Sequence, residues 1–277
     1  MATGTLYVVA TPIGNLEDVT LRALRVLAEV DLIAAEDTRR TRILLDRHGI
    51  RTPLTSYWDA VERTKAPELV ARLRAGASVA LVSDAGTPGI ADPGYHLVRG
   101  AVAAGVPVVP IPGASAVAAL VSVAGLPVDR FAFEGFLPAR AGARAARLAA
   151  LADEPRALVF FEAARRLDAF LAAAAGALGD REAVVGRELT KANEELLRGR
   201  LSALRARVGA VERLRGEVTI VVAGAPAGRA PIDLDARIRA ALAAGRSIRE
   251  LASAIARETG LPRREVYQRA LALTEGR

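Results

Sequence analysis

Three times in the first 115 residues, a short apolar run stops at a loop built from glycine and proline. Leu6–Ala10 runs into Thr11-Pro-Ile-Gly-Asn15, Ser78–Ser83 into Asp84-Ala-Gly-Thr-Pro-Gly-Ile-Ala-Asp-Pro-Gly94, and Val106–Ile111 into Pro112-Gly-Ala-Ser115. Between them lie helix-length stretches. Thr20 stands as N-cap to an amphipathic Leu21–Val30, and Leu32–Ala35 reads as one more strand. Strands separated by helices predict an α/β fold with a mainly parallel sheet. Ligands of such sheets sit beyond the carboxyl ends of the strands, where these loops fall.

The second half repeats the class with different spacing. Strand candidates at 131–133, 157–161, 183–187 and 218–223 alternate with alanine-rich helices. A Pro/Gly/Ala stretch, 225–231, reads as a linker. Beyond it, 233–243, 248–259 and 263–274 read as helices, the second capped by Ser247 with Glu250 at the capping-box position. Gly260-Leu-Pro262 separates the last two in a helix-turn-helix pattern. The expected organisation is two α/β domains, 1–113 and 114–226, followed by a small all-helical tail, 232–277.

Composition removes several chemistries. There is no cysteine, and the two histidines, His48 and His96, are too few for a histidine-built metal cage or a Ser-His-Asp triad, so no metal site is expected. The N-terminus lacks a signal-like apolar core, and no run approaches the roughly 20 apolar residues that span a bilayer, so a cytoplasmic protein is expected. The formal charge of +7 points to a polyanionic partner. Of 38 basic residues only Lys65 and Lys191 are lysine. A lysine can release a proton where arginine stays charged, or these two can simply be ordinary surface cations.

The 84–94 loop holds three Gly, two Pro and two Asp in eleven residues, more than a connector needs. Glycine lets backbone approach a ligand closely. Neither G-x-x-x-x-G-K-[ST] nor a G-x-G-x-x-G after the first strand is present, which argues for a ligand without a large phosphate charge.

In order along the chain, Leu6–Leu24, Ala35-Glu-Asp-Thr-Arg39, Val82–Tyr95, Ile111-Pro-Gly-Ala-Ser-Ala116, Phe133-Glu-Gly-Phe-Leu-Pro138, Arg187-Glu-Leu-Thr-Lys191 and Gly216-Glu-Val-Thr-Ile220 resemble the ribosomal RNA small subunit methyltransferase I family. The resemblance implies the tetrapyrrole-methylase type of fold, with S-adenosyl-L-methionine between two α/β domains. It also implies 2′-O-methylation of a cytidine in the decoding centre of 16S rRNA, with the small ribosomal subunit as partner, and a homodimer. Carried onto this sequence, it places Pro12, Ile13, Asp84, Gly86, Thr87, Ser115, Ala116 and Phe161 around the cofactor. The first loop, Ala10–Gly14, lacks the Gly-rich form common in the wider superfamily, which points away from tetrapyrrole substrates. Ala164-Arg165 stands where relatives look more like Pro or Thr followed by His.

Two further groups are singled out. Lys191 and Glu188 are the catalytic candidates: a lysine beside cations can have a lowered pKa and accept a proton, or the two can form a structural ion pair. Arg140, Arg144 and Arg147, three arginines with no acid among them, are candidate RNA phosphate contacts together with Arg39, while Glu36, Asp37 and Arg39 form either a second site cluster or a buried network. The alternatives are a methyltransferase for a tetrapyrrole precursor or other small molecule, and a nucleic-acid-binding regulator built on the tail.

Overall fold

The computed structural model describes residues 3–209, 215–226, 234–259 and 261–275. The first five strands are β1 (Leu6–Val9), β2 (Leu32–Ala35), β3 (Leu54–Ser56), β4 (Val79–Val82) and β5 (Val108–Ile111). They form one all-parallel sheet in the order β3-β2-β4-β1-β5. Helices α1 (Leu21–Glu29), α2 (Thr38–Arg47), α3 (Asp59–Arg74) and α4 (Tyr95–Ala103) connect them. Side chains alternate between the faces with a period of two. Ala80 and Val82 join Val9, Ile33 and the helix residues Val26 and Leu44 on one side. Val79 and Leu81 join Leu6, Leu69 and Leu97 on the other. Helices cover both faces, as an all-parallel sheet requires.

α5 (Ala116–Val123) follows the last of these strands but packs on the second sheet, where its Val117 and Leu120 meet Val159, Val184 and Val221. That sheet contains β6 (Phe131–Phe136), β7 (Ala157–Ala163), β8 (Glu182–Arg187), β9 (Glu195–Arg200) and β10 (Glu217–Val222) in the order β6-β7-β10-β8-β9. Only β6 and β7 run parallel; the remaining pairings are antiparallel. Its other face carries α6 (Ala141–Ala150), α7 (Leu167–Leu178) and α8 (Leu201–Gly209) around Leu158, Phe160 and Phe170.

The tail holds α9 (Leu234–Ala243), α10 (Ile248–Thr259) and α11 (Arg263–Glu275) around Ile238, Leu251, Ile255, Val266 and Ala270. The capping box forms: the Ser247 hydroxyl accepts from the Glu250 amide at 3.3 Å, and the Glu250 carboxylate accepts from the Ser247 amide at 3.1 Å. Of the predicted linker and turn, residues 227–231 and Gly260 lie outside the described residues, as does Asp233 at the start of the first predicted tail helix. Among the described residues no helix is long and apolar enough to cross a membrane.

Candidate active site between the two sheets

The loops after β1 and β4 are stitched together by backbone. Thr11 N–H donates to Gly86 O at 2.8 Å, and Gly86 N–H returns the bond to Thr11 O at 3.0 Å. The Thr11 hydroxyl adds a bond to Ser83 O at 3.1 Å. Gly86 manages this turn with φ of 83°, a conformation that a side chain would strain. At the third loop, Ser115 caps α5, its hydroxyl accepting from Ala118 N–H at 3.5 Å.

These loops face the second sheet across a cavity. Ile13, Gly86, Thr87, Ser115 and Ala116 border it from the first-sheet side, and Phe161, Glu188 and Lys191 from the other. The structure therefore brings together eight of the ten residues expected to bind cofactor or act in catalysis. Pro12 and Asp84 are not on the wall. Asp84 stands behind it: its carboxylate accepts from Asp37 N–H at 2.9 Å and pairs with Arg40 at 3.1 Å, and its own amide donates to Glu36 at 3.1 Å. Asp84 thus ties the β2 and β4 loops to each other. Burial first, then the neighbouring Asp84, raise the Glu36 carboxyl above its ordinary range. Asp37 caps α2 and grips the Arg39 guanidinium, whose hydrogen bonds hold its carboxyl well below the usual range.

Glu188 and Lys191 form an ion pair, Nζ to Oε1 at 2.9 Å, and Lys191 reaches Glu217 at 3.2 Å as well. The sequence expectation of cations around this lysine, and of a lowered pKa, is corrected here. Burial acts to lower it, but the two carboxylates outweigh burial and raise the Lys191 pKa above 10.5. The same contacts, with the Glu217 amide donating to Glu188 at 3.0 Å, overcome burial and hold Glu188 below its ordinary value. Glycines make the room. A Cβ on Gly216 would lie 2.3 Å from the Glu188 carboxylate, and one on Gly14 would lie 2.4 Å from Lys191 Cγ. Glu188 and Thr190 themselves adopt left-handed backbone, with φ of 51° and 66°.

Three carboxylates on the wall are not among the residues the sequence singles out. Asp92 belongs to the 84–94 loop and Glu217 to the 216–220 motif. Glu162 lay beside Phe161, and it is 1% exposed. One Glu162 oxygen pairs with Arg166 at 3.2 Å and accepts from Ala163 N–H, while Oε2 has no protein partner.

Residues 5–205 match the family model of the Tetrapyrrole (Corrin/Porphyrin) Methylases, and residues 230–274 match that of the RsmI C-terminal HTH domain. The chain is 48% identical over 98% of its length to the "Ribosomal RNA small subunit methyltransferase I" of Mesorhizobium japonicum, covering 92% of that protein. It is also 48% identical to the Pseudomonas aeruginosa protein of the same name, with 98% of each chain covered. The chain belongs to the ribosomal RNA small subunit methyltransferase I family. More distant members of the tetrapyrrole methylase fold align as well. A uroporphyrin-III C-methyltransferase from Thermus thermophilus, complexed with S-adenyl homocysteine, superposes with a TM-score of 0.55 at 22% identity, covering 79% of this chain and 97% of that one. The cobalt precorrin-4 methyltransferase CbiF gives 0.59 at 18%, covering 79% and 94%.

Within this family member the four candidate RNA arginines differ in availability. Arg140 is exposed at the start of α6. Arg39 is exposed but paired with Asp37. Arg147 pairs with Glu134 of β6 at 2.6 Å, so folding supplies an acid that the local sequence lacked. Arg144 is half-buried, and its Nε has no hydrogen-bond partner. The other lysine, Lys65, donates to the Thr55 hydroxyl and links α3 to β3.

Proposed function

We propose that this chain is an S-adenosylmethionine-dependent methyltransferase acting on the ribose 2′-hydroxyl of a cytidine in the decoding centre of 16S rRNA. The observation carrying this reading is the match along nearly the whole chain, helical tail included, to proteins named ribosomal RNA small subunit methyltransferase I. The cavity supports it chemically. Ile13, Ile90, Phe136 and Phe161 offer apolar surface to an adenosine, and the unpartnered Oε2 of Glu162 is an acceptor awaiting a donor. S-adenosylmethionine supplies a methyl group already activated on a sulfonium sulfur.

The residues of the chain then hold and orient. Ile13, Gly86, Thr87, Ser115, Ala116 and Phe161 form the donor's walls, with Pro12 and Asp84 setting the loops from behind. Lys191, kept charged by Glu188 and Glu217, is a fixed positive group that positions the ribose and its phosphate, and it is not the base. Alignment of this kind is worth about 7–11 kcal/mol in well-oriented reactions. Arg39, Arg140, Arg144, Arg147 and the tail meet phosphates, and the working form is a cytoplasmic homodimer on the small ribosomal subunit.

The test is incubation of the purified chain with methyl-labelled donor and, separately, small ribosomal subunits, naked 16S rRNA or a porphyrinogen. Label in 16S rRNA, at a cytidine whose 3′ linkage resists alkali, is the expected result. Label only in the porphyrinogen, or no donor binding at millimolar concentration, overturns the reading.

A further inference from the structure

We infer that Asp92 is the proton acceptor of this site, its carboxylate taking the hydroxyl proton of the methyl acceptor. The inference rests on the proposed hydroxyl methylation and adds to it the group that moves the proton. Four carboxylates border the cavity: Asp92, Glu162, Glu188 and Glu217. Three are already engaged by cations. Lys191 holds Glu188 and Glu217, and Arg166 holds Glu162 at 3.2 Å. A carboxylate that gives its lone pairs to a cation is a weakened base. Among the described residues no cation pairs with Asp92, and the Ser83 hydroxyl is the one neighbour that favours its charged form.

The backbone around Asp92 is built for placement. Ala91, directly before it, is forced into left-handed conformation with φ of 63°. Among the described residues the only other non-glycine cases are Glu188, on the opposite wall of the same cavity, and Thr190, two residues further on. Strain of this kind persists where the surroundings over-determine it, commonly at active sites. The surroundings here are specific. Gly94 N–H donates to Glu62 of α3 at 3.0 Å, and Leu97 N–H donates to the buried Tyr57 hydroxyl at 3.1 Å. Both bonds fix the segment immediately after Asp92.

The charges facing Asp92 favour proton uptake. Glu36 at the end of β2, Asp84 in its own loop and Asp59 on α3 are all acidic. Arg40 of α2 is spent on Asp84, Lys191 across the cavity on Glu188 and Glu217, and Glu62 of α3 faces His96 at 3.5 Å. Burial first, and these neighbours second, push Asp92 up to about 7, against an offset from the Ser83 hydrogen bond. A base near the working pH accepts a proton efficiently and returns it to water. In the reaction, the acceptor oxygen bonds the methyl carbon, the carbon–sulfur electron pair stays on sulfur, and the hydroxyl proton passes to Asp92.

The test compares wild type with Asp92→Asn, and with Asp92→Ser in case the amide disturbs folding. Carboxyl-carbon NMR of the ligand-free protein should show one aspartate titrating near pH 7, absent from both variants. Calorimetry should give S-adenosylhomocysteine affinities within about threefold of wild type, while methyl transfer to small ribosomal subunits falls by about 100-fold or more. The acid limb of kcat/KM near that pH should vanish in the variants. Turnover in either variant within threefold of wild type overturns the assignment, as does a loss explained by weakened donor binding. A wild-type chain that neither binds the donor nor methylates refutes the proposed function itself, a result distinct from an active Asp92→Asn.

Discussion

Gly14 and Lys191 come from opposite halves of the molecule, yet a methyl group added to Gly14 would stand 2.4 Å from the lysine's Cγ, 2.9 Å from Thr190 Oγ1 and 3.0 Å from Leu189 O. The first-sheet loop is thus the lid over the lysine's stem. Gly14→Ala must push Lys191 off its two carboxylates or push the loop away from the second sheet. Methyl transfer should fall by about tenfold or more, since displacement of about 1 Å is costly in a preorganised site. Thermal stability should drop by about 1–3 kcal/mol from overpacking. Single-turnover assays and calorimetric melting read the two effects.

Removing Lys191 leaves Glu188 and Glu217 as neighbouring anions, with Glu188 wedged against Gly216. Lys191→Met should destabilise the fold by about 1–2 kcal/mol, the lysine being roughly a third exposed. The pair also sets a pH window. Glu188 has a lowered pKa, so its contribution is complete above 4.5 and is lost as pH falls through the folded value beneath it. Lys191 has a raised pKa, so its contribution is complete below 10.5 and is lost as pH rises through the folded value above it. Urea melts across pH should show both limbs in wild type and neither in the methionine variant.

Glu162 is the buried partner of Arg166. Glu162→Ala strands that guanidinium, which also donates to Leu137 O at 3.1 Å, and should cost about 3 kcal/mol. Glu162→Gln keeps the shape and an acceptor oxygen. It should retain more of the stability while weakening binding of S-adenosylhomocysteine, as measured by calorimetry. Unchanged affinity would remove Oε2 from the donor's contacts.

For RNA, the arginines should separate by their existing partners. Arg140→Ala should reduce the log–log salt slope of rRNA binding by about 0.7–0.9, the loss of one phosphate contact. Arg147→Ala should change it less, because Glu134 already holds that charge. Equal slopes for both variants and wild type would place the RNA elsewhere.

The buried strands of this fold are legible in the sequence, and two of its four edge strands are not. The strands near β1 and β4 were readable because helices cover both their faces, leaving apolar runs bounded by Gly and Pro. β3 and β9 were missed, and both are edge strands: Leu-Thr-Ser is hardly buried, and Glu-Leu-Leu-Arg-Gly-Arg carries charge at the sheet's border. The sequence pattern ends β6 at Phe133, whereas the strand continues to Phe136 through a register shift between Phe133 and Gly135. At the site, the loop glycines and prolines mark the segments that border the cavity from the first sheet. The sign of the Lys191 shift was not legible, since Glu217 stands 26 residues away and arrives only through the pairing of β8 with β10. Asp84 and Asp92 share one loop, and only tertiary contacts decide that Asp84 faces inward to the β2 loop while Asp92 borders the cavity.

The Lys191 triad has a consequence for how the site comes into being. Its three charges belong to the second sheet, but the glycine that seals them belongs to a loop some 200 residues upstream of β10. Neither sheet owns a finished pocket. The cavity is therefore a property of docking, and a chain with two intact halves imperfectly seated would look folded by circular dichroism while lacking it.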